Sequence, residues 1–178
     1  MVETNVVLTL LQTISIMVGI GYYILNIQNN QKNQELSLIA QQQALETRQT
    51  ALFMDLYNVY RDHSFRTLYM EITTEWNWVD YEDWQRKYSP DGNMKHYTKY
   101  MSVMSYFEGI GVLVKRGLID ISLVYDLLEL PLKIVWSKFE TVVLDSRKHL
   151  DMAHLWNDVE YLYNELMKYI EEHQENVT

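Results

Sequence analysis

The chain has no cysteine, and its 178 residues include only two prolines and six glycines. Without cysteine there is no disulfide, no thiolate metal site and no cysteine nucleophile, while the redox compartment stays open because such a chain suits either. Few helix breakers beside plentiful Leu, Glu, Gln, Met and Tyr point to helices. No run alternates apolar and polar with period two, so no sheet is expected. Positive charge is also scarce, with 15 Lys+Arg against 24 Asp+Glu and a net charge of −9. An acidic surface repels phosphate backbones and anionic headgroups, which disfavours nucleic acid and polybasic lipid docking.

Catalytic signatures are missing as well. There is no GxSxG, no HExxH and no Walker lysine. Gly109-Ile110-Gly111 has no glycine three residues on and no strand before it, so it is not a dinucleotide loop. Asp151 and His154 share a helical spacing, with His149 near, but no Glu-x-x-His pair of the di-iron bundles occurs. We expect no metal, no cofactor and no enzymatic activity.

What is present begins with VVLTLLQTISIMVGIGYYILNI, Val6 to Ile27, a stretch without a charged side chain. It matches the roughly 20 residues an α-helix needs to cross a bilayer's hydrocarbon core. A cleaved signal peptide would want a basic n-region, a shorter apolar stretch and small residues at the cut. A buried core helix would usually be shorter and interrupted by charge. The expectation is therefore a single-pass anchor in the cell membrane, contacting lipid. Thr9, Gln12, Thr13, Ser15, Gly19 and Gly21 are of the small or polar kind that lines helix contacts in membranes, although the glycines do not make a GxxxG spacing. Lys32 and Arg48 follow the span and no base precedes it, so the positive-inside rule puts the C-terminal domain in the cytoplasm.

The expected fold is all-α: a short tail at 1–5, a transmembrane helix at 6–27, a Gln/Asn-rich helical stalk at 28–50, and an acidic helical bundle at 51–178. Leu38, Leu45, Leu52 and Val59 recur every seven residues, with Gln42, Gln49, Leu56 and His63 between them. This seam docks on the chain's own domain or pairs with a second copy; the polar start favours docking. The helix should continue to about Thr73. EWNWVDYEDWQRKY then crowds Trp76, Trp78 and Trp84 among acids, a cap for one end of the bundle or a cation- or partner-binding surface.

Ser89-Pro90-Asp91-Gly92-Asn93 predicts a turn, with a new helix from about Asn93 ending at Lys115-Arg116 before Gly117. Asp120 suits an N-cap for 121–130. Pro131 reads as the first turn of a separate helix, 132–144. A final helix over 150–173 should bury Met152, Leu155, Trp156, Val159, Leu162, Leu166 and Ile170.

Within this region SYFEGIGVLVKRGLIDISLVYDLL, Ser105 to Leu128, resembles an uncharacterised domain-of-unknown-function family of prokaryotic, membrane-anchored helical proteins. The resemblance implies an N-terminal span, a Gln-rich connection and a helical domain, and no activity. By residue type, Gly109 and Gly111 would permit close helix approach, Gly117 would end a helix and Asp120 would begin the next. Glu108, surrounded by Tyr106, Phe107 and Ile110, calls for a Lys or Arg partner on a neighbouring helix or for a binding partner.

The sequence thus leads to a membrane-tethered helical domain that binds another protein, as an accessory subunit or adaptor. The alternatives are a self-assembling membrane signalling or defence effector, and an enzyme of unfamiliar type.

Overall fold

Apolar residues three and four apart set the architecture throughout. The computed structural model describes residues 2–175, and every regular element among them is helical. The order is α1 Val2–Arg61, α2 His63–Met70, a π-helical turn Glu71–Glu75, α3 Tyr81–Tyr88, α4 Pro90–Lys115, α5 Ile121–His149 and α6 Asn157–Glu175. The chain divides into two compact units, Met1–Arg48 and Gln49–Thr178.

The first unit is helical from Val2, so residues 2–5 are part of α1; Met1 of the expected tail lies outside the described residues. Side chains from Leu10 to Ile27 are all exposed. The helix is long and apolar enough to cross a membrane, with a mean hydropathy of 1.6 in its most apolar window. Gly19 and Gly21 have no neighbour within 4 Å.

The second unit opens on the last turns of α1. Gln49, Leu52, Phe53, Leu56, Tyr57 and Tyr60 form one covered stripe, with Phe53 fully buried. Val59 is 47 % exposed, so the seven-residue seam does not continue past Leu56. A straight helix packed on a globular core keeps a 3.6-residue period, which drifts by about 20° per heptad from a strict seven-residue seam.

The helix expected to reach Thr73 is broken at Asp62. Its ψ of 136° leaves the helical region, and its carboxylate caps α2 by accepting from Ser64 N (2.9 Å) and Phe65 N (3.3 Å). A capping Asp satisfies otherwise orphaned N–H groups of the new helix. The π turn follows, where Thr73 and Thr74 hydroxyls bond back to the carbonyls of Tyr69 and Met70. Such back-bonding competes with the regular ladder and widens or bends it.

The predicted turn after α3 is present as a kink. Ser89 caps Pro90–Gly92, then Asn93 leaves helical geometry at φ −157°, ψ 90° and accepts from His96 N at 3.2 Å, starting the long part of α4. Gly117, at φ +67°, ends α4: its N–H donates to Val114 O and that of Leu118 to Leu113 O, both at 2.9 Å. This is the paired Schellman arrangement, which needs a left-handed residue at that site.

Two expectations fail in the C-terminal half. Pro131 does not begin a helix; α5 runs through it. Val124, Leu128, Leu132, Val135, Phe139, Val142 and Val143 make one unbroken buried stripe across the proline. Each buried side chain contributes about 1.5–3 kcal/mol, which together outweigh the roughly 3 kcal/mol an interior proline costs. The final helix begins at Asn157, not Leu150, and Met152 is 52 % exposed. Asp151 adopts φ 51° and lets Met152 N reach back to Arg147 O (3.1 Å), a glycine-type stop made by aspartate.

Candidate functional site

The tryptophans of the acidic aromatic stretch serve the core. Trp76 and Trp84 are buried and Trp78 is half-buried. Trp76 stacks on Tyr88 (centroids 4.1 Å, 10°) and Trp78 on Phe139 (5.5 Å, 20°). Lys138 reaches this corner from α5. Its ammonium donates to the carbonyls of Thr73 (2.8 Å) and Trp76 (2.7 Å) and lies 5.6 Å from the centre of the Trp78 ring. A cation at the carbonyl end of a helix is favourable, and the ring adds attraction. Burial lowers the Lys138 pKa.

Asp83 anchors the preceding loop. It accepts from Val79 N (3.2 Å) and Lys87 Nζ (2.7 Å) and pairs with Arg86, while Asp80 caps α3 through Asp83 N (2.8 Å). The Lys87 ammonium, above all, holds the Asp83 carboxyl below its usual range.

Among the described residues Glu108 has no ion pair with Lys or Arg. Its Oε2 accepts from the backbone N–H of Val159 (2.8 Å) in the first turn of α6. The half-buried carboxylate therefore caps a helix, and its pKa is raised because burial outweighs that hydrogen bond. Gly111 lies at the same crossing: a β-carbon there would meet Asp158 O at 2.0 Å. Gly109, expected to share that role, has nothing within 4 Å and faces outward. Asp120 accepts from Ser122 N (2.8 Å) at the start of α5. Of the histidine positions weighed for metal, His149 bonds Asp145 O and His154 bonds Asn157, and no group of three potential ligands occurs among the described residues.

One concavity lies where α3, the first turns of α4 and the α5–α6 connection meet. It is a cavity of about 370 Å³ whose aromatic lining is Tyr81, Trp84, Tyr97, Tyr100 and Trp156. Trp84 meets Tyr100 edge-on (5.4 Å, 75°), and Tyr100 stands at 90° to Trp156 (6.1 Å). Trp156 is held at φ 57°, a conformation costly for so bulky a residue and found chiefly where surroundings impose it. Arg147 supplies that constraint, donating through Nε to Leu155 O (2.9 Å) and through Nη1 to Glu160 (2.7 Å). Burial raises the Tyr100 pKa, so its hydroxyl stays protonated.

Sequence reading missed this cavity. Trp84 was visible as part of the aromatic cluster, but Asp91, also in the lining, reads only as a turn residue, and Trp156 reads as one more helical core position. The signal that remained was the three-residue step from Tyr97 to Tyr100, which a core stripe produces equally well.

An all-helical domain with an aromatic cavity, continuous with a long apolar N-terminal helix, defines the class. The chain belongs to the Domain of unknown function (DUF4760) family, whose model matches residues 6–166. The match takes in the 105–128 stretch and nearly all the rest. No curated protein and no solved structure matches the chain.

Proposed function

We propose that this is a single-pass membrane protein of prokaryotic type whose helical domain is a binding module for another protein, as an accessory subunit of a membrane complex or a tethered adaptor. The observation that carries the reading is the run from Leu10 to Ile27, exposed on every face of a helix and free of charge. Water penalises such a surface, and a bilayer core removes the penalty. Lys32 and Arg48 favour a cytoplasmic domain.

Binding rather than chemistry suits the domain because its singled-out polar groups are spent on architecture. Glu108 caps α6, Asp120 caps α5, and Lys138 closes the carbonyl end of the π turn. Purification of the full chain from its native membrane in mild detergent tests the proposal. A second protein should accompany it at fixed stoichiometry through size exclusion; migration as a solitary monomer would overturn it.

A second reading has its own support. Leu36, Leu38, Ile39 and Leu45 are 47–66 % exposed in the first unit. A self-assembling effector would cover them with further copies. Cross-linking that yields a ladder of homo-oligomers, with liposome leakage, favours this reading.

A further inference from the structure

The cavity between α3, α4 and the α5–α6 connection has a lining chemistry that selects its occupant. Trp84 meets Tyr100 at 75° and Tyr100 meets Trp156 at 90°, so the aromatic lining presents rings in more than one orientation. Aromatic faces carry negative quadrupole charge and attract a cation that has been stripped of water. No lysine, arginine or histidine lines the cavity, whereas Asp91 does.

Asp91 is the informative residue. The neighbouring acids are engaged: Asp83 by Lys87 and Arg86, Asp145 by Lys148. The Asp91 carboxylate has no hydrogen bond and no ion pair among the described residues, although Arg86, Lys87 and Lys95 are close in sequence. It sits in the short Pro90–Gly92 turn that precedes the kink at Asn93. Asp91 is exposed and lines the aromatic cavity, so its unpaired carboxylate is a negative charge that an occupant can reach. The Trp156 backbone, held at φ 57°, fixes one wall in advance, so a ligand would not bear the cost of ordering it.

We propose that this cavity binds a small organic cation, an alkylated ammonium whose charge faces Asp91 and whose alkyl groups contact Tyr97, Tyr100 and Trp156. This goes beyond the recruitment of a protein partner and does not depend on it. The ammonium class follows from the lining: rings accept dispersed positive charge on N-methyl groups, which hydrate weakly, better than a compact hydrated ion. A volume of about 370 Å³ lies at the small end of ligand pockets and limits the occupant to a compact molecule.

The test uses the full chain in a maltoside micelle, which carries no choline headgroup, titrated with choline and with its uncharged carbon isostere 3,3-dimethylbutan-1-ol. Calorimetry gives affinity, and indole fluorescence, to which Trp84 and Trp156 contribute two of the five tryptophans, gives an independent titration signal. Choline should saturate and bind about tenfold more tightly than the isostere, the scale of a desolvated cation–π contact. Asp91→Asn should weaken choline several-fold, leave the isostere unaffected and keep the melting temperature, because Asp91 is exposed and unpaired. Tyr97→Leu, at a half-buried ring, should weaken choline in a protein whose melting curve verifies folding. Equal affinity for choline and isostere, absence of saturation by choline, or unchanged choline affinity in Asp91→Asn would each overturn the proposal.

Discussion

Glu108 on α4 accepts a hydrogen bond from the backbone N–H of Val159, 2.8 Å away at the start of α6 and 51 residues further along the chain. The residue before α6 is Trp156, whose indole carries no acceptor, and the cap comes instead from a neighbouring helix. Glu108→Ala should lose about 1–2 kcal/mol, since an N–H of the first turn is left without its acceptor. Glu108→Gln keeps an acceptor oxygen and should cost about 0.5 kcal/mol or less at neutral pH. The two variants also separate by pH. Because burial raises the carboxyl's pKa in the folded state, the unfolded chain loses this proton first as pH rises, and stability falls through the window between the two pKa values. Glu108→Gln should remove that decline. Thermal melts from acid to neutral pH check both points; a Gln variant with the wild-type slope would show that another group titrates.

Asp83 should give a slope of the opposite sign. Its pKa is depressed, first by the Lys87 hydrogen bond, so its contribution is complete above the unfolded pKa and disappears as pH falls through the folded one. Asp83→Asn should therefore lower stability at neutral pH and flatten the acid limb of the melting-temperature profile. An unaltered acid limb would mean that the Val79 loop is held by its aromatic contacts alone.

Gly111 and Gly109 look alike in sequence and differ in the fold. Ala at 111 would place its β-carbon 2.0 Å from Asp158 O, a backbone atom that can move only with α6. Gly111→Ala should cost about 1–3 kcal/mol or prevent folding, the range for overpacked helix crossings. Gly109→Ala meets nothing and should stabilise by about 0.5–1 kcal/mol through helix propensity. Equal effects in chemical denaturation would refute this placement of the α4–α6 crossing.

These pairs explain what could be read in advance. Local signals were legible because their physics is local: Gly117 after Lys115-Arg116, and Asn93 after a Pro-Asp-Gly turn, act within one helix end. Pro131 was misread because its local preference, a helix start, competes with a buried stripe visible only when α5 is packed. Asp151 was missed because aspartate ends helices this way less often than glycine does. For Glu108 the expected partner was a charge, while the actual one is a backbone group that no sequence pattern marks. The cavity was illegible for a similar reason: Tyr81, Tyr97 and Trp156 come together only through the kink at Asn93 and the irregular α5–α6 connection.

On α1, covered and exposed leucines share one sequence pattern. Leu52 is half-buried beside fully buried Phe53, and Leu45 is 53 % exposed. Leu52→Ser should destabilise the domain by about 1–3 kcal/mol, less than a fully buried leucine would lose, and Phe53→Ala by about 3–5 kcal/mol. Leu45→Ser should leave domain stability unchanged, since its side chain has no core to leave. If a second copy covers Leu38 and Leu45, Leu45→Ser will instead reduce the mass of the detergent-solubilised particle while the melting temperature stays constant. Gln42 and Glu46, hydrogen-bonded to each other at 3.1 Å along that face, offer a partner little apolar surface. We therefore expect unchanged mass for Leu45→Ser and lowered stability for Leu52→Ser, and light scattering with thermal melts on the two single variants decides between docking and pairing.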